Sequence, residues 1–168
     1  MKMNRVDTAR LQNVITAAKG SARLRMNDNL HAMDDPIHRL LNATEPGTYV
    51  QPHRHGSAAT PGTARTETLC VLTGRGAIVT FGDDGEILEE IVLGPGEECL
   101  VAEIPGSTWH TLIGLASGTV WFEVKQGPYA PLPPADIAAW APAPGSPDAA
   151  AYLERLRSHV VAARARRA

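Results

Sequence analysis

Between about residues 22 and 127 the chain is punctuated by turn chemistry at roughly ten-residue intervals, and that rhythm constrains the fold more than any other feature. The punctuation is Asp34-Asp35-Pro36, Glu45-Pro46-Gly47, Gly74-Arg75-Gly76, Asp83-Asp84-Gly85, Gly94-Pro95-Gly96, Ile104-Pro105-Gly106 and Ser117-Gly118. The β-prone runs between these signals suit strands, and such a series predicts an all-β sandwich or barrel. Phe81 to Glu86 reads as a hairpin, because Asp-Gly tolerates the positive φ of tight turns.

The two ends read differently. Residues 7–18 predict a short amphipathic helix with Leu11, Val14, Ile15 and Ala18 on one face and Gly20 as its C-terminal cap. Residues 128–147 are rich in Pro, Ala and Gly and predict an extended wrap across the barrel. A last helix follows, with Ser146 as N-cap, Pro147 at its first position, and Tyr152, Leu153, Leu156, Val160 and Ala163 as its apolar stripe. The expected layout is one domain: an N-terminal helix in 1–21, a barrel in 22–127, and the wrap and C-terminal helix in 128–168.

A chain of 168 residues with 43% hydrophobic content has room for a real core. Its net charge of −2 gives no general pull toward nucleic acid or an anionic membrane. No apolar run is long enough to span a bilayer. Met1 to Gly20 carries charges throughout, unlike a secretory leader. Cys70 and Cys99 do not form a CxxC pair and read as reduced thiols, so a cytoplasmic location is expected. No P-loop, G-x-S-x-G or GxGxxG signature supports nucleotide or acyl-transfer chemistry.

The chemistry concentrates at His53 and His55. Pro52 argues against a helix interior, and Thr48, Tyr49 and Val50 lead in as strand, which would put both imidazoles on one face. Glu67 and His110, on other expected strands, would complete a site of three nitrogens and one oxygen. Such donors suit one divalent transition metal ion, whether Zn, Fe, Mn, Ni or Co, and leave open positions on an octahedral ion.

Gly47, His53, His55, Glu67 and Gly74, followed by Pro105, Gly106 and His110, resemble the two motifs of the cupin superfamily. Arg39 to Ala43, Pro46 to Val50, Pro52 to His55, Trp109-His110 and Glu123 to Tyr129 are similar to the WbuC-type cupin-fold metalloproteins. Arg25, Asn27 to His31 and Trp140-Ala141-Pro142 extend that similarity over about residues 22–142. The resemblance implies a cupin-type double-stranded β-helix, or jelly-roll barrel, with short helices at both ends, and a link to surface-polysaccharide gene clusters. Two departures stand out. Eleven residues, Gly56 to Thr66, separate His55 from Glu67 where the pattern has three or four, and they read as a mobile loop at the barrel mouth. Ser107 takes a usual glycine place, with Gly106 expected to make the turn instead.

Alternation then sorts the neighbours. Tyr49 and Gln51 should share the face of His53 and His55, while Leu112 shares that of His110 and Trp109 points away. Leu69 and Val71 should line the wall below Glu67. Arg39 reads either as an anchor for substrate or as the ion-pair partner of Glu123 or another carboxylate. Glu123 and Lys125 alternate with Val120, Phe122 and Val124. The favoured reading is polar-out and apolar-in, and the alternative puts Lys125 and Tyr129 at the mouth, gripping a ligand. His31 and His38 are spare. The function expected is binding of a small oxygen-rich molecule, such as a sugar derivative, at the metal, with isomerisation or oxygenation as the enzymatic forms. The alternatives are a non-catalytic binding or sensing module, a non-haem iron dioxygenase, and a purely structural metal. Exposed sheet edges favour a homodimer.

Overall fold

The computed structural model describes residues 3–56, 62 and 64–167. Among these residues eight strands form two antiparallel sheets. Strands β1 (Arg25–Asn29), β2 (Ile37–Thr44), β3 (Glu67–Thr73), β4 (Gly76–Phe81), β5 (Ile87–Leu93), β6 (Val101–Ile104), β7 (Trp109–Gly114) and β8 (Thr119–Gln126) follow in chain order. One sheet has the order β1-β2-β8-β3-β6 and the other β5-β4-β7. Leu69, Val71 and Trp121 of the larger sheet meet Ile78, Leu93 and Leu112 of the smaller across the space between them. This is a double-sheet jelly roll of the cupin type, with a helix on each outer face.

Helix α1 (Thr8–Gly20) lays Val14, Ile15 and Ala18 on Leu41, Ala43 and Val120 of the larger sheet. Asp7 caps it by accepting from the Arg10 amide. Gly20 is its last residue rather than its cap, and Ser21 takes the cap position in extended backbone. Helix α2 (Ala149–Arg167) covers the smaller sheet, where Leu153, Leu156 and Val160 pack on Ala77, Val79, Phe81, Trp109 and Ile113. It begins two residues later than Ser146 and Pro147 predict. The Ser146 and Asp148 carbonyls accept from the amides of Ala149 and Tyr152 instead. No helix among the described residues is long and apolar enough to cross a membrane.

Helix α2 covers the outer face of β4 and β7, which are buried along nearly their whole length. Helix α1 overturns the polar-out reading of β8. Val120 and Phe122 face α1, so Trp121, Glu123 and Lys125 face the barrel interior. The alternation is as clean as the sequence implies, but its apolar side has a helix to cover it. The same inversion moves Arg39. It lies on the α1 side of β2 with Leu41, half exposed, and pairs with Asp35 at 2.9 Å rather than with Glu123.

Candidate metal centre

Thr48 to His55 do not form a strand of either sheet. His53 instead makes an isolated antiparallel bridge on each side. The His53 amide donates to the His110 carbonyl at 3.0 Å and the His110 amide returns a bond at 2.8 Å. On the other side His53 faces Ile137 of the wrap, with Arg54 N donating to Asp136 O and Ala138 N to Pro52 O. Arg54 fastens this edge: its Nε donates to Asp136 Oδ1 at 2.9 Å and its guanidinium stacks 4.3 Å from the Trp109 ring centroid. The wrap thus holds the His-x-His segment as a neighbouring strand would.

These contacts bring the predicted quartet together. Donor atoms of His53, His55, Glu67 and His110 all lie within 4.8 Å of one another. His53 rests 4.6 Å from His110 and 5.1 Å from His55, ring centroid to ring centroid. Glu67 opens β3 and His110 is the second residue of β7, so the two sheets contribute one member of the quartet each.

The hydrogen bonds decide which nitrogens are free. His53 Nδ1 donates to the Gln51 carbonyl at 3.1 Å, and His110 Nδ1 to the Thr108 carbonyl at 2.9 Å. A carbonyl only accepts, so each ring in its neutral form presents an Nε2 lone pair. The His110 lone pair then looks at Glu67 Oε2 across 3.1 Å. Two acceptors at that distance need a cation between them, either a second proton on the ring or a metal ion. His55 Nε2 is also 2.9 Å from Glu67 Oε1, yet it is buried without an aligned hydrogen bond. The donor set therefore fits a divalent transition metal.

The charges around it are ordered. Burial opposes ionisation of Glu67, but the close His110 and His55 rings and the Lys125 charge outweigh it and hold the carboxyl well below its ordinary range. Burial, reinforced by His110, pushes His53 down to about 3, so its ring is neutral at neutral pH. Lys125 Nζ bridges Glu67 Oε1 at 2.8 Å and Glu123 Oε1 at 2.6 Å. Burial works against its charge, and the two carboxylates, Glu123 foremost, more than restore it. A lysine so held is a cation and not a base. Burial and the neighbouring Glu67 charge raise Glu123.

A cavity of about 480 Å³ opens beside the quartet, lined by His53 and His55 together with Arg25, His38, Gln51, Arg65, Lys125 and Tyr129 and an apolar wall from Val50, Leu132 and Ile137. Of the expected ligand-binding residues, Gln51, Lys125 and Tyr129 line it, although Gln51 spends its amide on the Ala138 and Ala141 carbonyls. Tyr49 is elsewhere. Its hydroxyl donates to the Pro142 carbonyl at 2.7 Å and its ring meets Tyr152 of α2. Arg39 faces α1. Sequence reasoning missed Arg25 and Arg65 as lining residues and set His38 aside as spare. The signal for His38 was available, since it alternates with Arg39 and so takes the opposite face of β2. Its ring stacks on His31 at 4.0 Å between centroids.

Residues 57–61 and 63 of the loop expected at the mouth lie outside the described residues. Its ends are placed: Arg65 N donates to the His55 carbonyl, closing the excursion, and Glu67 keeps its register opposite Ile104 and Lys125. Gly106 sits in the second-motif turn, closed by the Thr108 amide on the Pro105 carbonyl, but it does not take the positive φ there. Ser107 itself takes φ 71°, while a Cβ on Gly106 would sit 2.7 Å from Arg65 N.

Two facing sheets with a His-His-Glu-His cluster above their shared core define a cupin-type jelly roll with a candidate metal centre. The chain belongs to the family described as a domain of unknown function, DUF6016, which matches residues 6–93 and so includes His53, His55 and Glu67. No curated protein matches it. Similar solved structures include KdgF from Halomonas sp., with TM-score 0.47 and 16% identity over 63% of this chain and 80% of that one. A cupin superfamily protein from Desulfitobacterium hafniense gives 0.45 and 17% over 61% and 76%. An oxalate oxidase gives 0.46 and 19% over 64% and 52%.

Proposed function

We propose that His53, His55, Glu67 and His110 hold one divalent transition metal ion, and that the adjoining cavity brings a small oxygen-rich molecule to it. The observation that carries this reading is the His110–Glu67 contact. Its geometry asks for a cation, and two further donors, His53 and His55, converge within reach of one. When bound, the ion supplies Lewis acidity toward a ligand oxygen.

The chain's own residues set the terms. Gln51 and Thr108 carbonyls fix the two tautomers. Lys125 balances the charge of Glu67 and Glu123 and keeps the buried carboxylates from repelling each other outright. The apolar wall lowers the polarity beside the quartet, which strengthens polar contacts made there. The cavity favours ligand binding over a metal that only braces the barrel, because His53 and His55 face open space rather than packed side chains. The WbuC-like segments support a sugar derivative of surface-polysaccharide metabolism as the ligand. Pairing of two copies along an edge strand, β1, β5 or β6, belongs to the same proposal, and a monomer mass in solution would reject it.

The test is elemental analysis of protein purified without added metal, with His53→Ala and His110→Ala beside it. A transition metal lost from both variants supports the reading, and equal metal in all three overturns it. A thermal-shift series of sugars and sugar acids then tests the cavity.

A further inference from the structure

The lining of the cavity is electrically one-sided. Among its described residues are three cations, Arg25, Arg65 and Lys125, and no carboxylate. Lys125 is already spent on Glu67 and Glu123. Arg65 donates through Nη1 to the carbonyls of Gln126 and Pro128 and has no acidic partner among the described residues. Arg25 has less still: among the described residues its side chain makes no hydrogen bond and no ion pair.

Its orientation is set by the pleat of β1. Met26 packs on the α1 side and Asp28 bonds Arg10 of α1, so Arg25 takes the other face, toward the cavity. Register agrees. Met26 pairs with Ala43 and Asp28 with Leu41, both on the α1 side, whereas Arg25 pairs with Thr44. Burial, together with the nearby Arg23 charge, presses against the guanidinium, and Glu123 offsets this only at a distance. A half-buried guanidinium without a partner is costly, and an arginine does not escape by losing its proton.

We propose that Arg25 is the anchor for a ligand carboxylate, making this a site for a small carboxylic acid that carries a second oxygen. The planar fork of Arg25 matches a carboxylate with two parallel hydrogen bonds. A phosphate group fits less well, because it brings about two charges and three acceptor oxygens to a wall with one uncommitted fork. Sugar acids and short hydroxy acids share the required chemistry. Arg25 thus takes the role that sequence reasoning gave to Arg39. The inference rests on the metal reading only for the ligand's second oxygen.

The test uses the full chain, both loaded with Zn and stripped with chelator. D-glucuronate, L-lactate, D-glucose and inorganic phosphate are titrated by calorimetry and thermal shift. Glucuronate or lactate should bind while glucose does not, and Arg25→Gln should weaken that binding at least about tenfold. Arg25→Lys keeps the charge without the fork and should recover part of it, which also covers a folding failure of the first variant. Preference for glucuronate points to sugar acids and for lactate to short hydroxy acids, and either supports the proposal. Binding of phosphate alone, equal binding of glucose, or unchanged affinity in both Arg25 variants overturns it. If the chain takes up no Zn yet carboxylates still bind through Arg25, the metal reading fails and this one stands.

Discussion

Arg54 Nε donates to Asp136 Oδ1 across 2.9 Å although 82 residues separate them, and this pair ties the wrap to the His-x-His segment. Asp136 is 4% exposed. Removing one member of such a pair leaves the other charge buried, at a cost of about 3–5 kcal/mol. Asp136→Ala should therefore lower stability by about 3 kcal/mol in urea unfolding. It should also weaken Zn binding by about 10–100-fold, as loss of a supporting contact does at metal sites. Full Zn affinity in a folded Asp136→Ala protein would show that the wrap does not position His53.

Gly76 is placed by a neighbour, not by a turn. A Cβ there would sit 2.1 Å from Cζ2 of Trp121, the largest fully buried side chain in the chain. Trp121 is also held by its Nε1 bond to Thr44 Oγ1 at 3.1 Å. Gly76→Ala should cost about 1–3 kcal/mol by overpacking, read from denaturant midpoints. An unchanged midpoint would mean that Trp121 can move aside.

Helix α2 replaces solvent over the smaller sheet. Leu156 is 5% exposed there against Ala77, Val79 and Phe81. Leu156→Ala should destabilise by about 2–5 kcal/mol. Stability within about 0.5 kcal/mol of the parent, the range of surface substitutions, would show that the helix is not part of the cooperative fold.

The ion pair between Arg10 and Asp28 fastens α1 to β1 at 2.6 Å. The hydrogen bond from Arg10, then its charge, hold the Asp28 carboxyl below its ordinary range against the opposing effect of burial. A carboxyl lowered by folding contributes stability above its unfolded pKa and loses it as pH falls through the lower folded value. Asp28→Asn should thus cost about 1 kcal/mol at pH 7, given partial exposure of the pair. Melting curves of the two proteins should converge once the pH drops below the folded value. A gap that persists there would mean that the loss is steric rather than electrostatic.

The quartet His53, His55, Glu67 and His110 was legible because its residue types are chemically narrow and the turn signals framed them. The fold class was legible for a related reason: Gly, Pro and Asp mark strand ends through local backbone preferences. Orientation was harder. Glu123 and Arg39 each went to the wrong face because alternation says that two sets of residues part, but not which set a distant helix will cover. Val120 and Phe122 look inward until α1 is known to lie on them. Tyr49 failed similarly. Its share of a face with His53 assumed a continuous strand, whereas the chain there is held by bridges and by the wrap. The partnership of Arg54 with Asp136 has no local signature at all.

The most direct measurement is the metal content of the full chain after equilibration with Zn and desalting, for the parent and for Glu67→Gln. One ion per chain in the parent, with little retained by Glu67→Gln, is the predicted result. A parent that emerges metal-free, or a Glu67→Gln protein that keeps a full equivalent, would contradict the claim that Glu67 and the three imidazoles share one ion.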